Sequence, residues 1–171
     1  MKRLCIYCLA NLLFICLLQA QKEEFRLPGW IEDAVFYQIY PQSYQDTDGD
    51  GIGDIQGIIS RLDYIHSLGC NTIWLNPCFH SAFMDAGYDV IDFYRVASRY
   101  GTNDDLRRLF DEAHSRGMRV VLDLVAGHSS DQSLWFKYSC KREQNAYTDR
   151  YIWTNDSTIC PDRFIKGNFE R

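Results

Sequence analysis

No stretch of the sequence clusters the lysines and arginines that neutralise phosphates. The 171 residues carry 18 Lys plus Arg against 23 Asp plus Glu, a net charge of −5. That balance removes nucleic acid from the expected partners. Nor is there an apolar run of the ~20 residues that a membrane-spanning helix needs. The longest, Leu4 to Leu18, is interrupted by Asn11, so no stable membrane span is expected. Proline is scarce, at four residues, and two of these (Pro41 and Pro77) close apolar runs. Residues 129–171 lack any clear hydrophobic period.

What is present begins with a leader. Lys2 and Arg3 form a short basic start, the apolar run follows, and Ala20 offers a small residue for cleavage before Gln21. This is the organisation of a signal peptide over residues 1–20, and it makes a secreted, extracellular protein the expectation, with an uncleaved anchor as the alternative. Cleavage removes Cys5, Cys8 and Cys16 and leaves Cys70, Cys78, Cys140 and Cys160. Four cysteines allow three pairings in an oxidising compartment. Cys140 with Cys160 would tie down the loop-rich tail, and Cys70 and Cys78 read as buried free thiols. Asn155-Asp156-Ser157 is a glycosylation sequon, which suits secretion.

Between the leader and the tail, strands and helices alternate. Residues 34–40 (AVFYQIY), 71–75 (NTIWL) and 119–125 (RVVLDLV) are continuous apolar runs of strand length. Residues 58–67 place Ile58, Ile59, Leu62 and Ile65 at helical spacing, ended by Gly69. Thr102 reads as an N-cap with Asp104 and Asp105 in the first turn, the apolar face is Leu106, Leu109, Phe110 and Ala113, and Gly117 ends the helix. Continuous apolar strands are covered on both faces, as in a parallel α/β sheet. A doubly wound sheet and a β/α barrel both fit that local pattern.

Residues 46–54 read Asp-Thr-Asp-Gly-Asp-Gly-Ile-Gly-Asp. Asp46, Asp48, Asp50 and Asp54 occupy positions 1, 3, 5 and 9 of a loop, with Gly51 at position 6 for the turn and the Ile52 carbonyl at position 7. Alternate oxygen ligands converge when such a loop curls around a cation. Carboxylates this close repel one another without one. Ca2+ is the expected ion, and Mg2+ is less favoured because a crowded oxygen cage suits the larger cation. Position 12 is Gly57 rather than Glu, so only the ligands resemble an EF-hand.

The motifs AVFYQIYPQSY, DTDGDGIGDIQGI, LDYIHSLGCNTIWLNP, DAGYDVIDFYRVASRYGT and GMRVVLDLVAGHSSD occur in that order. Together they resemble the start of the catalytic domain of glycoside hydrolase family 13, the α-amylase family, in its oligo-1,6-glucosidase, α-glucosidase and trehalose-synthase branch. The resemblance implies about three strand–helix units of a TIM (β/α)8 barrel over residues 21–128, then the start of an inserted domain after the third strand over 129–171. It implies that Asp85 and His128 hydrogen-bond a sugar, that Tyr88 stacks on its face, and that Asp123 supports the site from behind. The ligand would be an α-linked glucose oligosaccharide or disaccharide. The family usually has Asn before the signature His. Here that residue is Gly127, so a second calcium site is not implied.

Retaining glycosidases need a nucleophilic carboxylate and a carboxylic acid about 5 Å apart. The resemblance places both after later strands, so no catalytic residue is expected among these 171 and the chain alone is expected to be inactive. The leading expectation is the N-terminal part of a secreted α-glucosidase or α-amylase-like hydrolase. A non-catalytic relative, such as the ectodomain of an amino-acid transporter heavy subunit, is the alternative, but it would show a longer N-terminal segment and a full apolar span. A small calcium-binding secreted protein is the third, and it leaves Asp85, Tyr88 and His128 without a role.

Overall fold

The computed structural model describes residues 27–153. The leader, the sequon at Asn155, Cys160 and the rest of the tail lie outside the described residues. Residues 27–34 hold a single 3-10 turn, Gly29–Ile31, closed by Ile31 N donating to Pro28 O at 3.0 Å.

From Val35 onward the fold is built on a three-stranded parallel sheet of β1 (Phe36–Ile39), β2 (Thr72–Leu75) and β5 (Arg119–Leu122), in that order. Phe36 pairs with Thr72 and Thr72 with Arg119, and the register runs without a shift to Ile39, Leu75 and Leu122. Neighbouring parallel strands require a crossover between them. The first crossover is α1 (Ile55–Ser60) and α2 (Leu62–Ser67), and the second contains α3 (Asn103–Ser115). Ile39, Ile73 and Leu75 of the sheet are fully buried against Ile55, Ile58, Leu62 and Ile65 of the first crossover and Leu109 and Ala113 of α3. Burying one such aliphatic side chain is worth roughly 1.5–3 kcal/mol. The other face of the sheet is open, with Phe36 46% and Trp74 40% exposed.

The expected single helix over 58–67 is two helices, and it starts earlier. Asp54 caps α1, accepting from Gly57 N at 2.6 Å, so the helix begins at Ile55. Arg61 leaves helical geometry (φ −108°, ψ 4°) and its guanidinium binds Gln45 Oε1 at 2.9 and 2.6 Å. Gly57 permits the closeness of that loop: a Cβ there would lie 2.0 Å from Gln45 O. The glycines expected to end the two crossovers, Gly69 and Gly117, have φ +84° and +71°, the left-handed geometry of a helix stop.

The stretch after β2 is more ordered than its sequence suggested. Strand β3 (Phe79–Ser81) pairs antiparallel with β4 (Val90–Val96) through two register shifts. Residues 134–139 form a short helix, α4 (Leu134–Ser139), capped by Ser133 Oγ accepting from Phe136 N at 3.1 Å. Trp135 of α4 stacks with Phe93 of β4 (5.4 Å) and has the Arg150 guanidinium 4.6 Å from its ring. The β5 strand ends at Leu122 rather than Val125. Cys70 and Cys78 are free, and only Cys78 is buried, its thiol pushed up to about 12 by desolvation. Among the described residues no helix is long and apolar enough to cross a membrane.

Thr102 is the expected N-cap, and it forms a complete capping box: its Oγ1 accepts from Asp105 N at 3.2 Å while Asp105 Oδ2 accepts from Thr102 N at 2.8 Å. Asp105 Oδ1 also accepts from Gln56 of α1 at 2.7 Å, joining the two crossovers. The bond from the Thr102 hydroxyl is the main reason the Asp105 carboxyl lies below 3.8, with the Thr102 amide and Gln56 adding to it. Asp105→Ala is expected to destabilise the fold by about 1–2 kcal/mol. Because the folded pKa is the lower one, that contribution is present above the unfolded value and disappears as pH falls through the folded value. Urea unfolding of both proteins at pH 7 and pH 3 checks this: the gap should narrow at pH 3.

Candidate functional site

The polar residues of the site cluster where the parallel strands end. The sheet ladder continues one step past β2 and β5, through Asn76 N to Ile39 O and Asp123 N to Leu75 O, both 2.9 Å. The first residue after each strand, Asn76 and Asp123, is therefore held in the sheet's register. Carboxyl ends of parallel strands are where β/α enzymes assemble their sites.

The loop between β3 and β4 brings the next members. Asp89 fixes it from below: one oxygen accepts from Ser81 Oγ at 2.6 Å and Asp85 N at 3.3 Å, the other from Met84 N at 3.1 Å. These bonds overcome desolvation and leave the Asp89 carboxyl below its ordinary value. The loop is also strained. Phe83 and Ala86 have φ of 56° and 52°, a conformation costing roughly 1–2 kcal/mol for a residue with a Cβ. Phe83 is gripped by the Arg99 guanidinium, 3.8 Å above its ring, and by Tyr100 edge-on at 5.6 Å. Such strain persists only where the surroundings over-determine the backbone, and it marks functional loops. The loop leaves the Asp85 side chain exposed.

Tyr88 is the hub. Its amide donates to Asp85 O at 2.8 Å, its carbonyl receives His128 Nε2 at 3.0 Å, and its hydroxyl donates to Asp123 Oδ2 at 2.7 Å. The Asp123 carboxylate, by accepting that bond, is the first cause raising the Tyr88 phenol to about 12. A carbonyl can only accept, so His128 Nε2 carries the proton in this contact. All four residues expected to serve a sugar are thus joined: Asp85, Tyr88, His128 and Asp123.

The acidic loop makes a second cluster. One carboxylate oxygen from each of Asp46, Asp48 and Asp50 lies within 4.8 Å of the others. Asp46 accepts from Gly49 N at 2.8 Å, Gly51 N at 2.9 Å and Asp48 N at 3.1 Å, and these amides, Gly49 first, hold its carboxyl below the ordinary range. Ile52 is placed by its amide, which donates to Asp50 Oδ1 at 2.7 Å. Asp54 does not join the three. Besides capping α1, it accepts Thr47 N and Thr47 Oγ1 on Oδ2 at 2.8 and 2.7 Å, and so closes the loop at its base. The convergent donor set is all oxygen and acidic, which fits a hard cation such as Ca2+.

A parallel β/α sheet with a carboxylate, an imidazole and a phenol gathered at its strand ends has the site architecture of the β/α enzyme class. The model of the α-amylase catalytic domain matches residues 38–169, and the chain belongs to that family, glycoside hydrolase family 13, whose fold is the TIM barrel. An oligo-1,6-glucosidase from Bacillus sp. is 51% identical over 124 residues, 72% of this chain and 24% of the relative. An α-glucosidase from Candida albicans is 52% identical over 124 residues, 72% of this chain and 22% of the relative. A solved isomaltulose synthase mutant from Erwinia rhapontici, in complex with its natural substrate sucrose, superposes with TM-score 0.71 at 47% identity, covering 75% of this chain and 23% of that one. The chain spans about a quarter of the length of these relatives.

Three residues of the site escaped the sequence reading: Gln38, Asn76 and Asp89. Gln38 is the one polar side chain in FYQI, and Asn76 stands between an apolar strand and Pro77. A polar residue at the carboxyl end of an apolar strand was the available signal. Replacing the carboxylate beside Tyr88 is expected to release its phenol. In Asp123→Asn the Tyr88 pKa should fall from about 12 toward 10, read by ultraviolet difference titration against Tyr88→Phe.

Proposed function

We propose that the protein is the sugar-holding N-terminal part of a secreted α-glucosidase that cleaves α-linked glucose oligosaccharides or disaccharides with retention of configuration. The observation that carries this reading is the hydrogen-bonded set Asp85–Tyr88–His128–Asp123 at the strand ends. A pyranose offers hydroxyls at its rim and C–H groups on its faces. An exposed carboxylate and imidazole beside an aromatic ring suit both. Asp85 and His128 would bind hydroxyls of the glucosyl unit, Tyr88 would lie against its face, and Asp123 would hold Tyr88. The similarity to an oligo-1,6-glucosidase and to a sucrose-bound isomaltulose synthase supports a small α-glucoside as ligand. The nucleophile and acid, in this reading, belong to later strands of the barrel. Residues 129–171 would begin the inserted domain.

Two measurements test it. In saturation-transfer NMR the chain should bind maltose, and Asp85→Ala should abolish that binding. In an activity assay, residues 21–171 should turn over neither maltose nor sucrose. No binding by the unsubstituted chain, or turnover at enzymatic rates, would overturn the reading.

The acidic loop, in the same proposal, holds Ca2+ through Asp46, Asp48 and Asp50, with the Ile52 carbonyl as a further oxygen ligand and Asp54 bracing the loop at its base rather than ligating the ion. The ion would screen three carboxylates and tie the loop ahead of α1. Secretion, with Gln21 as first residue, would supply it at extracellular concentrations. Calcium is expected to raise the thermal midpoint of the chain, magnesium to raise it less, and Asp48→Asn to remove most of the difference, as read by calorimetry. Equal midpoints with calcium and with chelator would exclude the site.

A further inference from the structure

The Tyr88 hydroxyl has a third neighbour besides Asp123 and its own ring. Asn76 Nδ2 lies 3.5 Å from it, and Gln38 Nε2 lies 2.9 Å from Asn76 Oδ1. Four side chains from β1, the end of β2, the β3–β4 loop and the end of β5 therefore form one line: Gln38, Asn76, Tyr88, Asp123. Its direction follows from the Asp123 end alone. An ionised carboxylate can only accept, so Tyr88 must donate its single proton to Asp123 at 2.7 Å. The phenol oxygen is then left as an acceptor, and Asn76 must present its NH2 there. The Asn76 oxygen consequently faces Gln38, which must donate. Every bond points from β1 toward β5.

We propose that Gln38 and Asn76 are positioning residues for the sugar site: a one-way amide relay that fixes where the Tyr88 ring stands. The proposal rests on the sugar-site reading above. Neither amide needs to touch the ligand. The relay uses up the Tyr88 proton, so the ring serves the sugar through its face, and swinging the ring about the Cα–Cβ bond would break bonds at both sides of the hydroxyl. A pre-positioned ring loses less freedom when a ligand arrives. Gln38 is exposed on the open sheet face, so exchanging its amide for a carboxylate buries no charge.

Gln38→Glu is the decisive variant because it keeps shape and reverses polarity. A carboxylate there takes the Asn76 NH2, turns the Asn76 oxygen toward Tyr88, and gives the phenol a second acceptor competing with Asp123. In the full chain labelled with 13Cζ-tyrosine, with the Tyr88 signal assigned by its loss in Tyr88→Phe, that signal should move in both Gln38→Glu and Asn76→Ala. Maltose affinity should fall about fivefold in each, the size expected for one hydrogen bond, with the thermal midpoint of Gln38→Glu unchanged. An unmoved Tyr88 signal in both variants overturns the relay. A moved signal with unchanged maltose affinity overturns its role in positioning the ring. If the unsubstituted chain binds no maltose, the sugar-site reading fails, while the Tyr88 signal still decides whether the relay exists.

Discussion

The parallel ladder does not stop where the strands stop. Asn76 N reaches Ile39 O and Asp123 N reaches Leu75 O, each at 2.9 Å, so backbone bonding carries two polar side chains past the apolar part of the sheet while keeping them in register. Everything else at the site is arranged around those two. Asp123 accepts a hydrogen bond from the Tyr88 hydroxyl, the Tyr88 backbone holds Asp85 on one side and His128 on the other, and the β3–β4 loop has to bend to deliver Tyr88 there. The strain at Phe83 and Ala86 is a consequence of that bend. It is offset by three hydrogen bonds to Asp89 and by the Arg99–Phe83–Tyr100 packing. Loosening the ladder at either strand end would misplace all four residues together.

The acidic loop shows how one residue type can be asked for two things. Position 9 of a cation loop and the N-cap of a helix both favour an aspartate, and Asp54 stands where the two patterns coincide. In the structure its oxygens go to Gly57, Thr47 N and the Thr47 hydroxyl, while Asp46, Asp48 and Asp50 converge without it. The loop is thereby fastened to the helix that follows. Gly57, with no room for a side chain, presses the helix start onto Gln45.

Much of this was legible in the sequence. The three parallel strands and the capped α3 announce themselves because apolar runs and an N-cap three residues before Asp105 are local signals. The residues gathered at the site were legible only through resemblance, since a lone Asp, Tyr or His has no local signature. Three things stayed hidden for stated reasons. The break at Arg61 interrupts no apolar spacing, because Ile58, Leu62 and Ile65 keep helical intervals across it. The β3–β4 hairpin is masked by two register shifts, although VIDFYRV has strand composition. The helix at Leu134–Ser139 is too short to show a period and is fixed instead by ring contacts from Phe93 and Arg150. Gln38 and Asn76 became meaningful only once three strands stood side by side.

The open face of the sheet has a consequence in time. Ribosomes make chains from the N-terminus at about 5–20 residues per second, so β1, β2 and β5 emerge before any strand that comes later in a barrel. If later strands of a barrel cover this face, Phe36 and Trp74 would stay exposed for seconds until those strands arrive. A chaperone scanning nascent chains would find its foothold on that face. The Tyr88–Asp123 cluster at the strand ends would already be assembled above it.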